Sequence, residues 1–158
     1  MFYATLKLLH VAAIVVWVGG MVFTHFFLRP AVAGLETAPQ RLNLMHEVLR
    51  RFFAAVVVAV VVVLLSGSWM LMDVQQRVAA TGGQLVVPLA WTVMTVLGVL
   101  MAVIFGYIRL APFRRLQQAV ASAQWPEAAA ALAVIRQWVV VNLVLGTAVV
   151  GVAVIGGA

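Results

Sequence analysis

Four long apolar runs constrain this chain more than any other feature of its sequence. Each run supplies about the 20 mostly apolar residues that a helix needs to cross a bilayer. The predicted spans are residues 3–28, 52–72, 86–110 and 134–155. Within lipid, helices and closed barrels alone satisfy the backbone, and these runs lack the alternating polarity of a barrel strand. The sequence therefore predicts an all-α protein, an integral membrane four-helix bundle.

The composition agrees with this class. Of the 158 residues, 66% are hydrophobic and 9% are charged, whereas a soluble domain is about half apolar and about a quarter charged. The net charge of +6 lies in clusters between the apolar runs. This pattern favours anionic lipid headgroups at Arg50, Arg51, Arg114 and Arg115 over a nucleic acid partner. The length fits one domain over residues 1–158, and the absence of cysteine excludes disulfides and thiolate metal sites.

Two of the connections are predicted to be helical and to extend spans into the cytoplasm. Residues 41–51 carry apolar side chains at helical spacing and lead into the second span. Residues 113–133 include Pro126, which suits a first helical turn, and an alanine-rich stretch that leads into the fourth span. The clear flexible connection is residues 79–84.

The positions of the basic residues predict the orientation. Eight of the ten Lys and Arg residues lie in or beside the first and third connections, and Lys7 and Arg77 lie on the opposite side. By the positive-inside rule, those two connections are cytoplasmic. Both termini would then face the outer (periplasmic) side of a bacterial inner (cytoplasmic) membrane, which the chain crosses several times.

Lys7 and His10 are the ionisable groups of the first span, and such groups are candidates for function because they are costly in lipid. They share a helix face that continues through Trp17 and Thr24. One interpretation is structural: Lys7 reaches the headgroups, and His10 hydrogen-bonds to a neighbouring helix. The alternative makes His10 a ligand, because neutral imidazole binds copper and haem iron well.

Three methionines are predicted to lie in the same half of the membrane as His10. Met70 and Met72 end the second span, and Met94 lies early in the third. Thioether sulfur and imidazole together form a soft ligand set for Cu(I), although methionine is also ordinary packing in an apolar helix. The candidate metal site therefore consists of His10, Met70, Met72 and Met94.

His25 and His46 are predicted to lie near the cytoplasmic interface at similar depth. His25 precedes Arg29 by four residues, and His46 precedes Arg51 by five. Two histidines at one depth on facing helices could be the axial ligands of a haem b. The alternative is that both are interfacial histidines that headgroup water hydrates.

Ordinary enzyme motifs are missing from the sequence. Its four carboxylates all lie at connections or helix ends, and no acid pair, catalytic triad or phosphate-binding glycine loop is present. We therefore expect no catalytic residues and no hydrolytic catalysis; the sequence favours a protein that is not an enzyme but leaves the question open. Catalysis would require a bound cofactor.

Several short motifs, taken in order and spacing, resemble the copper resistance protein D (CopD) family over essentially the whole chain. These motifs are Leu6–His10, Val16–Met21, Arg50–Phe53, Ser66–Gly67, Pro112–Leu116 and Asn142–Gly146. The resemblance implies a four-helix membrane domain that handles copper at the bacterial inner membrane. The chain more distantly resembles HemJ-type membrane proteins, which are linked to haem.

By position, His10 matches the first-helix histidine of the CopD pattern. Family members often carry a histidine near the start of the third helix, where this chain has Thr92. That departure removes one ligand of the family pattern, and Met94 could replace it for copper. The resulting prediction is a CopD-like protein that binds copper or translocates it from the periplasmic side. The alternatives are a b-type haem redox protein and a non-catalytic membrane subunit of a larger complex; a homodimer is also compatible.

Overall fold

Helices account for nearly all of the chain in the computed structural model, which describes residues 2–84 and 86–156. Over these residues the chain forms helices and turns and no strand. The helices are α1 (Phe2–Phe23), a π-helical turn (Thr24–Leu28), α2 (Arg29–Ala33), α3 (Ala38–Ala80), α4 (Leu89–Leu110), α5 (Pro112–Ala121) and α6 (Trp125–Ile155). Four stretches are long and apolar enough to cross a membrane: Phe2–Ala33, Ala38–Ala80, Leu89–Ala121 and Trp125–Ile155. The predicted all-α membrane class is confirmed.

The longest helix, α3, contains 43 residues. At about 1.5 Å per residue it is roughly twice as long as the hydrocarbon core is thick, so it must project beyond the membrane. Its start is fixed by a capping box in which Thr37 and Gln40 each accept the other's backbone N–H. The helix is continuous through residues 41–51, as the apolar spacing predicts.

A turn at residues 122–124 divides the predicted helical segment 113–133 in two. The backbone N–H of Gln124 donates to the carbonyl of Ala119 at 2.8 Å, and Ala123 between them has φ of 55°. This is the arrangement that usually carries glycine at a helix end, so alanine gives no sequence signal for it. The next helix begins with Pro126 in its first turn, as predicted.

The two ends of the bundle differ in charge. The rings of Phe2 and Trp69 meet edge to face at 5.9 Å, and Gly156 lies beside Ala90 at the start of α4. The beginning of α1 and the end of α6 therefore lie at the end that also holds the turn after α3, called here the turn end. The opposite, arginine-rich end holds Arg29, Arg41, Arg50, Arg51, Arg109, Arg114, Arg115 and Arg136. Which end faces the cytoplasm stays a prediction.

The core is densest toward the arginine-rich end, around an aromatic cluster of Trp17, Phe53, Phe105 and Phe113. Phe53 is 1% exposed, and its ring meets Phe105 at 5.6 Å and Phe113 at 5.0 Å, edge to face. Trp17 meets Phe105 at 6.2 Å. Because these rings come from α1, α3, α4 and α5, the cluster joins most of the bundle.

A glycine and an asparagine hold α6 close to its neighbours. A Cβ atom on Gly146 would lie 3.0 Å from Val18 and 3.1 Å from Met101, so a larger residue does not fit there without displacement. One turn earlier, Asn142 donates its Nδ2 to the backbone carbonyl of Met101 at 3.2 Å. The fourth spanning helix is therefore packed against both the first and the third.

Candidate functional site

His10 is joined to α3 by a hydrogen bond between side chains. Its Nδ1 lies 2.8 Å from Oγ of Ser66, which is 4% exposed. The adjacent Gly67 leaves room for the imidazole, because a Cβ there would lie 3.3 Å from Cε1 of His10. The predicted hydrogen bond from His10 to a neighbouring helix is thereby confirmed, and its partner is Ser66.

The hydrogen bonds of Ser66 bear on the tautomer of His10. A serine hydroxyl has one hydrogen to donate, and Ser66 Oγ lies within hydrogen-bond distance of the backbone carbonyls of Val62 and Val63. If that hydrogen goes to one of these carbonyls, Ser66 Oγ accepts the bond from His10, and the proton of the neutral ring lies on Nδ1. The lone pair of Nε2 is then available to a proton or a metal.

The face of α1 that bears His10 packs inward farther along the helix. Trp17 and Thr24 are both buried, as expected for a face directed at the bundle. Lys7, one turn before His10, is exposed at the turn end. His10 itself is half-buried, so it lies between the packed core and the open turn end.

The three predicted methionine ligands occupy different positions. Met70 lies one turn after Ser66 on α3 and is half-buried, so it is on the His10 side of that helix. Met72 is 57% exposed. Met94 is half-buried on α4, which packs mainly against α6 and α5. Met70 is therefore the methionine best placed beside His10.

The donors near His10 fit a soft metal ion in kind. An imidazole nitrogen and a thioether, which Met70 carries one helical turn after Ser66, suit Cu(I) better than a hard cation. No group of three or more His, Asp or Glu residues that could hold a metal occurs within residues 2–84 and 86–156. A copper site here therefore depends on methionine sulfur or on ligands from outside one chain.

The two other histidines contact different parts of the arginine-rich end. His25 lines a small cavity shared with α3 and α6, and its ring meets the neighbouring Phe26. His46 stacks on Phe113 of α5 at 5.9 Å, and its Nε2 is buried without a hydrogen-bond partner in the described part of the chain. No ring contact joins the two histidines in that part either. Their pairing on a haem stays a prediction.

The four arginines predicted to bind headgroups differ in whether they form ion pairs. Arg50 and Arg51 both donate to Glu47, at 2.9 Å and 2.8 Å. Hydrogen bonds from Arg50 and then Arg51 lower the pKa of Glu47 from 4.5 to about 2. Arg114 and Arg115 are exposed on α5 and form no ion pair with the described residues. Headgroup binding by the four arginines stays a prediction.

Ser66 is the residue whose role the sequence analysis missed, since it names Ser66 only within a family motif. The signal that could have found it is depth. His10 lies seven residues inside the predicted start of the first span, and Ser66 lies six residues before the predicted end of the second. In antiparallel helices these positions fall at the same level, where a histidine in lipid needs a polar partner.

The helices, their apolar surface and the inward-facing His10 define a multi-pass α-helical membrane protein. Within this class, the family model described as copper resistance protein D (CopD) matches residues 46–155. The match covers more than half of the chain, and the protein belongs to this family. No curated protein and no solved structure matches the chain.

The match begins at residue 46, so it includes Ser66, Gly67 and Asn142 but not His10. The role of His10 therefore depends on its contact with Ser66 and on the motif resemblance of the first helix. The resemblance to HemJ-type proteins stays a prediction.

Proposed function

We propose that this protein binds Cu(I) within the membrane and that His10 is its nitrogen ligand. The observation that carries the proposal is the hydrogen bond from His10 Nδ1 to Ser66 Oγ at 2.8 Å. Metal-binding histidines commonly donate their second ring N–H to a fixed acceptor, which orients the ring and makes the other nitrogen more basic. Ser66 is such an acceptor when its own hydrogen goes to the backbone carbonyl of Val62 or Val63.

Met70 supplies the second ligand in this proposal. It follows Ser66 by one helical turn, so it lies on the side of α3 that His10 contacts. Two soft donors on facing helices suffice for Cu(I), which accepts low coordination numbers. Met94 joins the set if α4 or a second copy of the chain brings its sulfur close to His10. Membership of the copper resistance family supports copper as the cargo.

The site lies at the end opposite the arginines. If the positive-inside rule gives the orientation, His10 meets copper from the outer (periplasmic) side of the inner membrane. The aromatic cluster closes the bundle beyond His10, so the proposal assigns binding to this half and assigns no continuous path through one chain.

A chelator competition tests the ligand assignment. The purified protein in detergent is titrated against a chromogenic Cu(I) chelator, and the affinity is compared with those of His10→Ala, Met70→Leu and His46→Gln. We expect His10→Ala to abolish binding, Met70→Leu to weaken it at least tenfold, and His46→Gln, a histidine far from the site, to bind as the wild type does. Equal affinity of His10→Ala and the wild type for Cu(I) would reject the assignment, provided that both proteins elute as the same detergent-solubilised species in size-exclusion chromatography.

A visible spectrum separates copper binding from the haem alternative. The protein is expressed with sufficient haem supply, purified gently, and measured oxidised and then reduced with dithionite. The copper proposal predicts no Soret band. A Soret band that sharpens on reduction, and that His25→Ala or His46→Ala removes, would instead establish a b-type haem protein.

A further inference from the structure

A small cavity at the arginine-rich end brings three cationic or titratable side chains together. His25 and Arg29 reach it from the end of the first span, and Arg136 reaches it from α6. The remaining wall is mostly apolar and includes Met45 and Leu49 of α3. The cavity has a volume of about 20 Å³, which is room for one water molecule, so a larger group would bind at its mouth.

The two arginines have no counterion among the residues that the structure describes. Arg136 is half-buried and uses its Nε to donate to the carbonyl of Leu132 at 3.4 Å. Arg29 is exposed, and its positive charge repels that of Arg136. No carboxylate lines the cavity, and neither arginine forms an ion pair with any residue in 2–84 or 86–156. Two guanidinium groups that line one cavity without an acid form a site for an anion.

The backbone beside the cavity has an unusual shape. Thr24–Leu28 forms a π-helical turn, and the hydroxyl of Thr24 donates to the carbonyl of Gly20 at 2.7 Å. Single π-turns inside α-helices are rare and occur often at functional sites. This turn carries His25 and leads directly into Arg29, so it sets the positions of two of the three side chains.

We propose that His25, Arg29 and Arg136 bind the phosphate of an anionic lipid headgroup. Arg29 directly follows the first apolar span, at the level where phosphates of a bilayer lie. Beside it, Phe26 and Phe27 are 59% and 64% exposed and present an apolar surface to acyl chains. The cavity is too small to enclose a soluble metabolite. A lipid phosphate at its mouth satisfies both guanidinium groups, and the fatty chains remain in the membrane.

Native mass spectrometry of the detergent-solubilised protein tests the site. The wild type is titrated with phosphatidylglycerol, with phosphatidylcholine and, in a separate arm, with inorganic phosphate. The test variant is Arg29→Gln/Arg136→Gln. The matched control is Arg41→Gln/Arg109→Gln, which removes the same charge at the same end but from side chains outside the cavity. Arg29→Gln alone changes one exposed residue and still tests the site if the double variant misfolds.

The proposal predicts that the wild type and the control variant each retain one phosphatidylglycerol in preference to phosphatidylcholine. The cavity double variant should lose this retention at least tenfold, and Arg29→Gln should lose part of it. Equal retention by both double variants would overturn the proposal, as would equal retention of the two lipids by the wild type. Stoichiometric binding of inorganic phosphate that excludes the lipid would identify a free-anion site instead and would also overturn it. The site lies at the opposite end from His10, so none of these results depends on copper.

Discussion

Replacing Ser66 with alanine tests the arrangement around His10 without removing the proposed ligand. The change deletes the oxygen that accepts the Nδ1 proton of His10. A hydrogen bond between side chains of membrane helices contributes about 0.6 kcal/mol on average and up to about 1.7 kcal/mol. The free energy of unfolding should fall by an amount in that range.

The effect on copper should be larger than the effect on stability. Loss of a hydrogen-bond partner behind a metal-binding histidine typically lowers metal affinity 10- to 100-fold, which is about 1.4 to 2.7 kcal/mol. Without Ser66 the ring is free to rotate and to place its proton on either nitrogen, so part of the population presents no lone pair at Nε2. Affinity is measured by competition with a Cu(I) chelator, and the tautomer by the ¹⁵N shifts of the imidazole in the metal-free protein.

Ser68→Ala is the matched control. Ser68 lies on the same helix two residues later, but it is exposed and makes no side-chain bond to α1 in the described structure. We expect it to keep the copper affinity and the Nδ1–H tautomer of the wild type. If Ser66→Ala and Ser68→Ala bind copper equally tightly, or if the metal-free protein carries its proton on Nε2, the reasoning from the Ser66 hydrogen bond is refuted.

Three further predictions concern packing and charge. Gly146→Ala places a methyl group about 3 Å from two neighbouring side chains and should destabilise the protein by about 1–3 kcal/mol in SDS-induced unfolding, whereas Gly151→Ala, with open space around it, should not. Phe53→Leu removes two edge-to-face ring contacts and should lower the unfolding free energy by about 1–3 kcal/mol. Phe27→Leu changes an exposed ring and should lower the unfolding free energy less. Equal losses of unfolding free energy in the two variants would contradict the stabilising role of the aromatic cluster. Because the pKa of Glu47 is lowered, its contribution to stability is complete above pH 4.5 and is lost as the pH falls through about 2. Glu47→Gln should therefore flatten the dependence of the unfolding free energy on pH over that interval. An unchanged pH dependence would argue against the ion pairs.

The helices were predictable because their signals are local. These signals are the length of each apolar run, the charged residues at its ends and the proline at the start of α6, and each acts over a few residues. Lipid also leaves few alternatives to a helix. The turn between α5 and α6 was not predictable, because it depends on Ala123 at φ 55°. Alanine favours helix more than any other residue, so the sequence there indicates continuation.

The depth of the site residues in the membrane was predictable from the sequence, but the directions in which their side chains point were not. Counting residues along a span gives the level of a side chain in the membrane, and it correctly separates His10 from His25 and His46. The rotation of each helix about its axis depends on packing between helices. His46, for example, stacks on Phe113 of α5, and the residue spacing within α3 does not predict this contact.

The contact between His10 and Ser66 also determines how the family relationship bears on function. The matched segment contributes the acceptor at Ser66 and the small residue at Gly67 that admits the ring, whereas the proposed ligand lies before that segment. A buried serine that donates its own hydrogen to a backbone carbonyl can accept a bond from another helix, and a neutral imidazole that donates to it keeps the lone pair of its other nitrogen. The geometry therefore makes the two halves of the site dependent on each other: without His10, Ser66 has no donor partner, and without Ser66, His10 loses its fixed tautomer. On the copper proposal, a member of the family that lacked the histidine should bind copper by a different set of ligands, and one that lacked only the serine should bind it more weakly.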